Sequence, residues 1–253
     1  MPSFSAPECL FEALFSQFQT FFQFSCNFHF DIFKLLSMTI IDIHTHLLPK
    51  VDDSTMRKWK FSSMMGKYKE VGIQHLVFSP HIDDPYVDTD RSRIDGTFEW
   101  ACEKAAKYGI KCYLGSEFYV RDQNELSFIP HFGSHVLCET DTTFAPEHYL
   151  ETVEKIISQG YKVILAHVER YRFLSPESEL FHRLHDELGC LVQVNARGAR
   201  TDAGRKWLKA GVVDFIATDN HGDESLPLAL YEILGQYPYV ARKMDSFVQD
   251  NLG

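Results

Sequence analysis

Short apolar stretches rich in β-branched residues recur seven times after Met38, and helix-like stretches separate most of them. The seven stretches cover residues 40–43, 75–78, 111–114, 134–138, 163–166, 191–194 and 212–218. This alternation without internal linkers predicts an α/β fold whose parallel strands form a barrel. A doubly wound open sheet is the alternative, because one sequence does not reveal the strand order. We expect the last helix over residues 225–235.

Six of these seven strands end in a histidine or an acidic residue, and the sixth ends at Asn195. In a parallel barrel the carboxyl ends of all strands meet at one face, where such folds keep their chemistry. A single histidine at a strand end is usually structural, whereas a whole set of metal-ligand residue types predicts a metal site. With Asp53 from the first loop, the candidate ligands are His44, His46, Asp53, His81, Glu117, Glu139, His167, Asp219 and His221.

Nine candidate ligands are too many for one zinc-like ion, which takes about four. They suit two or three ions that share bridging carboxylates. Three divalent cations would outweigh the four carboxylates of this set and leave the site positive, which favours an anionic substrate. Hydrolysis of a phosphate ester needs cations on the phosphoryl oxygens and a water whose pKa is lowered toward about 7. The strand ends therefore predict a metal-dependent phosphatase.

Composition excludes several other classes of protein. The net charge of −10 argues against a non-specific nucleic-acid binder, which needs a basic face. The six cysteines form no C-x-x-C pair, and none is followed by an arginine six positions later, which excludes a phosphatase with a cysteine nucleophile. Reduced thiols are the favoured interpretation, and they are typical of a cytoplasmic protein.

The first 37 residues differ from the rest, because they hold ten of the 21 phenylalanines. They show no signal-peptide pattern and no continuous apolar span, so we expect no insertion into a membrane. Met38 directly precedes the first strand. We therefore expect residues 1–37 to be a non-native or disordered extension, and residues 38–253 to be the phosphatase domain.

Several short motifs carry a family resemblance. They are Asp-Ile-His-Thr-His (42–46), Val-Asp-Asp (51–53), Ser-Pro-His (79–81), Gly-Ser-Glu (115–117), Ala-His-Val-Glu-Arg-Tyr (166–171), Gln-Val-Asn (193–195) and Thr-Asp-Asn-His (218–221). Together they resemble the PHP (polymerase and histidinol phosphatase) superfamily, and within it the CpsB-like bacterial protein-tyrosine phosphatases of capsule and exopolysaccharide loci. The resemblance implies a distorted (β/α)7 TIM-like barrel with three metal ions, usually manganese, with iron or zinc possible.

The resemblance also implies roles for individual residues. His44, His46, Glu117 and Asp219 would hold one ion, Glu117 would bridge to a second ion held by Glu139 and His167, and Asp53, His81 and His221 would hold the third. Arg170 matches the arginine that grips the phosphate. Such chains often place a further arginine after the last strand, but here residues 222–225 are acidic. Arg197 or Arg200 is the expected substitute in substrate binding.

The implied reaction is hydrolysis of phosphotyrosine, on a bacterial tyrosine kinase that controls polysaccharide export, by direct attack of a metal-bridging hydroxide. One alternative is a PHP phosphatase for a small metabolite such as histidinol phosphate, and another is a PHP module that binds a partner without catalysis. Tyr86, Tyr119 and Tyr171 lie near strand ends, where they either stack on an aromatic substrate or, as is more common, pack at the rim. The oligomeric state remains open.

Overall fold

The computed structural model describes residues 37–121 and 125–252. The expectation that residues 1–37 form a non-native or disordered extension lies outside the described residues, apart from Ser37. Thr39–Gly253 form one unit, which contains every element described below. No helix among the described residues combines the length and the apolar composition needed to span a bilayer.

Within the described ranges the chain forms nine strands, and all pairings between them are parallel. The strands are β1 (Ile40–Thr45), β2 (Ile73–Phe78), β3 (His81–Ile82), β4 (Lys111–Leu114), β5 (Glu117–Tyr119), β6 (His135–Glu139), β7 (Lys162–Leu165), β8 (Leu191–Asn195) and β9 (Phe215–Ala217). The α-helices are α1 (Lys58–Glu70), α2 (Ile94–Ala106), α3 (Tyr149–Ser158), α4 (Glu179–His182), α5 (Asp202–Ala210), α6 (Leu226–Gln236) and α7 (Pro238–Leu252).

The nine strands occupy seven positions, because two of the strands are broken in mid-course. One sheet has the order β1-β2-β4 and the other has the order β3-β5-β6-β7-β8-β9. Strands β2 and β3 are separated only by Ser79 and Pro80, and β4 and β5 only by Gly115 and Ser116. Each broken strand therefore starts in the first sheet and ends in the second, and the neighbours follow the order of the sequence.

The last strand position meets the first, which closes the barrel. The His46 N–H donates to the Asn220 carbonyl at 2.9 Å, and the Asp219 N–H donates to the His44 carbonyl at 2.9 Å. The predicted barrel is thereby confirmed, and the alternative of an open sheet is wrong. This junction between β9 and β1, the seam of the barrel, has few hydrogen bonds, and β9 has only three residues. The barrel is therefore distorted at the seam.

The two strand breaks have local causes. Pro80 has no N–H to donate to a ladder, but its carbonyl accepts the Glu117 N–H at 3.1 Å. At Gly115 there is no room for a side chain, because a Cβ there would lie 1.8 Å from the His131 ring. After both breaks the chain resumes in register, with His81 directly opposite Glu117. The breaks thus bring two candidate ligands side by side.

Helix α6 confirms the helix expected over residues 225–235, but it is not the last helix, and α5 and α7 were not predicted. Helix α7 follows α6 almost directly and packs on β1 and β9, so it covers the seam of the barrel. Only four of its side chains are buried, namely Val240, Ala241, Met244 and Val248. Helix α5 buries Trp207 and Leu208 and is otherwise polar and small. Both helices are amphipathic with a narrow apolar stripe, a pattern that is typical of a helix on the surface of a domain.

Candidate metal centre

All nine predicted ligands lie at the carboxyl end of the barrel. Three groups of them have donor atoms within 4.8 Å of one another. The first group is His44, His46, Glu117 and Asp219; the second is His81, Glu117 and Glu139; the third is His46, Asp53, His81 and His221. Glu117 therefore belongs to two groups, as do His46 and His81.

Glu117 is the side chain that joins the groups. One of its oxygens, Oε2, lies 3.0 Å from His44 Nε2 and 3.1 Å from His46 Nε2. The other oxygen, Oε1, lies 3.0 Å from His167 Nε2. The side chain is 1% exposed, so water cannot solvate this charge. A buried carboxylate surrounded by imidazoles on both sides is suited to bridge two cations.

Glu139 completes the second group at the end of β6. Its Oε1 lies 3.0 Å from His81 Nδ1, and its Oε2 lies 3.5 Å from His167 Nε2. The resemblance implied His81 only for the third ion. In the structure His81 turns Nδ1 toward Glu139 and Glu117 and Nε2 toward Asp53, at 3.8 Å. His81 thus stands between the second and third groups.

The third group is the most exposed of the three. His221 Nε2 lies 3.2 Å from Asp53 Oδ1, and His221 Nδ1 lies 3.5 Å from Asp219 Oδ1. The His46 ring is stacked against the His221 ring with centroids 4.1 Å apart. Asp53 is about half exposed, because it reaches over from the loop after β1. This group faces the open side of the centre.

The electrostatics of the centre favour bound positive charge. Burial alone would lower the pKa of each histidine, but contacts with the carboxylates outweigh it and raise the pKa of His81 and His167 to about 10 and that of His221 to about 9. Burial would likewise raise the pKa of Glu117 and Asp219, yet the histidines hold both below the usual range. Imidazole and carboxylate together are donors that suit divalent manganese, iron and zinc. The residues therefore fit divalent metal ions.

A second layer of polar side chains orients these groups, and its residues were not among the predicted site residues. Asp52 Oδ2 lies 2.8 Å from His46 Nδ1, which leaves His46 Nε2 directed at Glu117. Gln193 Oε1 accepts the His167 N–H at 2.8 Å and lies 3.3 Å from His44 Nδ1. Such partners set the tautomer and orientation of ligating histidines.

Strand β8, the sixth of the seven predicted strands, has no candidate ligand but contributes to this layer. Gln193 Nε2 donates to Asn195 Oδ1 at 2.8 Å, and Asn195 Nδ2 donates to Asp219 Oδ2 at 2.9 Å. Gln193 and Asn195 are two residues apart on β8, so both face the interior. This spacing is a signal in the sequence, because two polar residues at i and i+2 on an otherwise apolar strand point to the same face. The strand without a ligand thus links three candidate ligands.

Two candidate ligands have unusual backbone conformations. His167 has φ of 32° and Asp219 has φ of 50°, in the left-handed region that disfavours residues with a side chain. Each such residue costs about 1–3 kcal/mol unless its surroundings hold it in place. Here the His167 N–H is held by Gln193 and the Asp219 N–H by the His44 carbonyl. The strain directs both side chains at the centre.

The three predicted arginines lie at different distances from the centre. Arg170 ends a 3₁₀ turn (Val168–Arg170) after β7, and its Nη1 lies 3.6 Å from Asp219 Oδ2. It lines a cavity of about 410 Å³ together with His81, Glu139 and His221. Arg197 lines an adjacent cavity of about 350 Å³ and pairs with Asp223. Arg200 pairs with Glu232 at 2.6 Å and lines neither of these two cavities.

The profile of one protein family matches residues 40–252, nearly all of the described chain. Its description reads capsular polysaccharide synthesis, CpsB/CapC. The chain belongs to the CpsB/CapC family. The match covers the whole barrel, including all nine candidate ligands, and agrees with the resemblance to CpsB-like proteins.

Relatives with CpsB-type names are distant in sequence, yet they align with most of this chain. Tyrosine-protein phosphatase CpsB of Streptococcus pneumoniae is 22% identical over an alignment of 237 residues, and the match covers 84% of this chain and 96% of the relative. Tyrosine-protein phosphatase YwqE of Bacillus subtilis (strain 168) is 20% identical over 197 residues, covering 72% of this chain and 77% of the relative. The similarity therefore extends over most of each relative and most of this chain.

A solved structure from the same family shares the fold. It comes from crystal structures of YwqE from Bacillus subtilis and CpsB from Streptococcus pneumoniae, described as unique metal-dependent tyrosine phosphatases. The TM-score is 0.68 at 19% identity, and the match covers 85% of this chain and 96% of the other. The barrel described above is thus the fold of a CpsB/CapC protein.

Proposed function

We propose that this chain is a metal-dependent phosphatase that hydrolyses phosphotyrosine in proteins. The observation that carries the proposal is the set of nine histidine and carboxylate side chains, most of them buried, which opens into a cavity that Arg170 lines. Family membership supports it, because relatives that align over most of their own length are named tyrosine-protein phosphatases. The residues 38–253 would form the catalytic domain.

Three metal ions would occupy the centre. Manganese is the metal that we expect, with iron or zinc as alternatives. His44, His46, Glu117 and Asp219 would hold the first ion. Glu117, Glu139 and His167 would hold the second, with His81 in reach of it. Asp53, His81 and His221 would hold the third. When bound, the metals supply a water of lowered pKa and neutralise phosphoryl oxygens.

Arg170 would hold the phosphoryl group. A guanidinium presents two parallel N–H donors to two phosphoryl oxygens, and Arg170 is 49% exposed, so it is free to turn into the cavity. Its present partner, Asp219, is 3.6 Å away and is a candidate metal ligand. Phosphotyrosine suits such a site, because its phenol leaving group has a pKa of about 10 and needs less protonation than an alkoxide.

Arg197 is the better placed of the two substitutes for the family arginine. It shares its cavity with Arg170 and Asp219, and Asp223 from the acidic loop holds it there. Release from Asp223 would let Arg197 reach an anionic substrate bound at Arg170. Arg200 would have to leave Glu232 and move farther.

The proposed partner is a phosphotyrosine-bearing bacterial tyrosine kinase of polysaccharide biosynthesis, which the enzyme would meet in the cytoplasm. The acidic body of the protein, with a net charge of −10, suits a basic partner. The family description, capsular polysaccharide synthesis, supports this assignment of the process.

The test is phosphatase activity on a phosphotyrosine peptide, with and without added manganese, for wild type, His44→Ala and Arg170→Ala. We expect activity that needs the metal, disappears with chelator and with His44→Ala, and falls about a hundredfold with Arg170→Ala. His44→Ala should also bind less metal per chain, whereas Arg170→Ala should bind as much as wild type.

Two outcomes would contradict the proposal. Full activity in the presence of chelator and in His44→Ala would exclude a metal-dependent reaction. A strong preference for histidinol phosphate over the phosphotyrosine peptide would identify the substrate as a small metabolite instead.

A further inference from the structure

Tyr86 is a large aromatic side chain that the fold leaves in solvent. It is 80% exposed, although it stands at the rim of the metal cavity and lines it. Aromatic side chains of this size usually gain their stabilising effect by burial. Because Tyr86 is mostly exposed, it gains little stabilisation from burial, and packing does not explain its position.

Polar contacts hold the Tyr86 loop in place. The Tyr86 N–H donates to Asp84 Oδ1 at 2.6 Å, and Asp84 Oδ2 lies 3.5 Å from His81 Nδ1. Farther along, Arg91 donates to Asp83 Oδ1 at 2.5 Å and to Ser127 Oγ at 3.0 Å. The loop is therefore tied directly to a candidate metal ligand, and Tyr86 is presented at a fixed place beside it.

Tyr119 supports Tyr86 from below. The two rings meet edge to face, with centroids 6.1 Å apart and an angle of 78° between their planes. Tyr119 is 8% exposed and lies at the end of β5, two residues after Glu117. Both tyrosines line the same cavity as Arg170, and Val87 extends their wall. The cavity thus has an apolar, aromatic side next to its charged floor.

We propose that Tyr86, supported by Tyr119, forms an aromatic wall that receives the phenyl ring of phosphotyrosine. The inference rests on the proposed function and adds the residue that selects aryl phosphates over aliphatic ones. Two aromatic rings attract each other in offset or edge-to-face arrangements, and the exposed face of Tyr86 is free for such a contact. An aliphatic phosphate would reach the metals and Arg170 equally well but would gain nothing from the wall.

The test compares Tyr86→Ala with Tyr86→Phe in the manganese-loaded protein, on a phosphotyrosine peptide. Tyr86→Ala should raise KM by about three- to tenfold, the range expected from the loss of one aromatic pair, with a smaller change in kcat. Tyr86→Phe keeps the ring and should restore KM to within about twofold of wild type. Trp59→Ala is the matched control, because Trp59 is 82% exposed on α1 and lies outside the cavity lining.

Inhibition by inorganic phosphate separates the wall from the phosphate site. In Tyr86→Ala the inhibition constant of phosphate should change much less than KM, because phosphate has no ring. An unchanged KM in Tyr86→Ala, or an equal rise in KM and in the phosphate constant, would overturn the aromatic wall while leaving the phosphatase assignment intact. A wild-type protein that does not hydrolyse the phosphotyrosine peptide would overturn both.

Discussion

Histidines are buried at both ends of strand β6, and their surroundings differ. At the carboxyl end His81 and His167 contact Glu139, and the carboxylates raise their pKa to about 10 despite burial. At the amino end His135 begins the strand, and burial together with the charge of Lys162 lowers its pKa to about 4. The same residue type therefore carries a charge at one end of the strand and none at the other.

The difference shows that carboxylates, and not histidines alone, define the functional face. Every group of potential metal ligands among the described residues lies at the carboxyl end. The amino end has a larger cavity, about 800 Å³, lined by His135, by the basic Lys162, Arg242 and Lys243, and by two aspartates, Asp214 and Asp250. Asp214 already pairs with Lys243, and the basic side chains outnumber the acidic ones, so this cavity does not favour a bound cation. At the carboxyl end bound metal ions can take the place of the protons that the histidines hold.

The largest expected effect comes from Glu117→Gln, which removes the charge shared by two ligand groups. We expect a loss of activity of about a thousandfold or more and fewer metal ions per chain, measured by kinetics and elemental analysis. His135→Gln, at the amino end of the barrel, is the control and should retain both the activity and the number of bound metal ions. Retention of metal and activity by Glu117→Gln would show that the groups do not depend on their common carboxylate.

Metal affinity should rise with pH. His81 and His167 hold protons up to a pKa of about 10, and each must lose its proton to bind a metal ion. Between pH 6.5 and 7.5 the affinity for manganese should therefore increase about tenfold for each proton released. Calorimetric titration in buffers of different ionisation enthalpy counts those protons. An affinity independent of pH would mean that the histidines are neutral before the metal binds.

The orienting layer predicts a smaller effect. Asp52→Asn keeps the shape of the side chain but weakens its hold on His46 Nδ1, so manganese affinity should fall about 10- to 100-fold. Asp88→Asn removes the same charge from an exposed residue in a nearby loop and serves as the matched control. Equal effects of the two substitutions would mean that only net charge matters, and that Asp52 does not orient His46.

The smallest effect belongs to the amino end and concerns stability. Because the pKa of His135 is about 4 in the folded chain and about 6.5 in the unfolded chain, its contribution is present above pH 6.5 and lost as the pH falls toward 4. Between pH 7 and pH 4.5, wild type should lose about 1–2 kcal/mol more of unfolding free energy than His135→Gln. Urea unfolding at both pH values measures this. Equal losses would show that His135 titrates normally.

Local pattern predicted much of this molecule. Short runs such as Ile40–Ile43 are apolar and β-branched enough to be strands in nearly any context, and ligand-type residues follow them directly. A barrel of parallel strands has one face on which these strand ends must meet, so the residue types alone identify the candidate ligands. Helix α7 was not predicted in this way, because its four buried residues are explained by their packing on the seam between β9 and β1.

The sequence by itself determined the order of strands and helices, the set of ligand-type residues and their common face, because these depend on residue type and short spacings. The tertiary structure decided which of these residues lie next to one another in the metal centre and which residues orient them. Only the breaks at Pro80 and Gly115 bring His81 opposite Glu117, and only folding separates Asp52, behind His46, from its neighbour Asp53, which faces the cavity. Such distinctions arise from contacts between residues far apart in the chain, which no local pattern encodes.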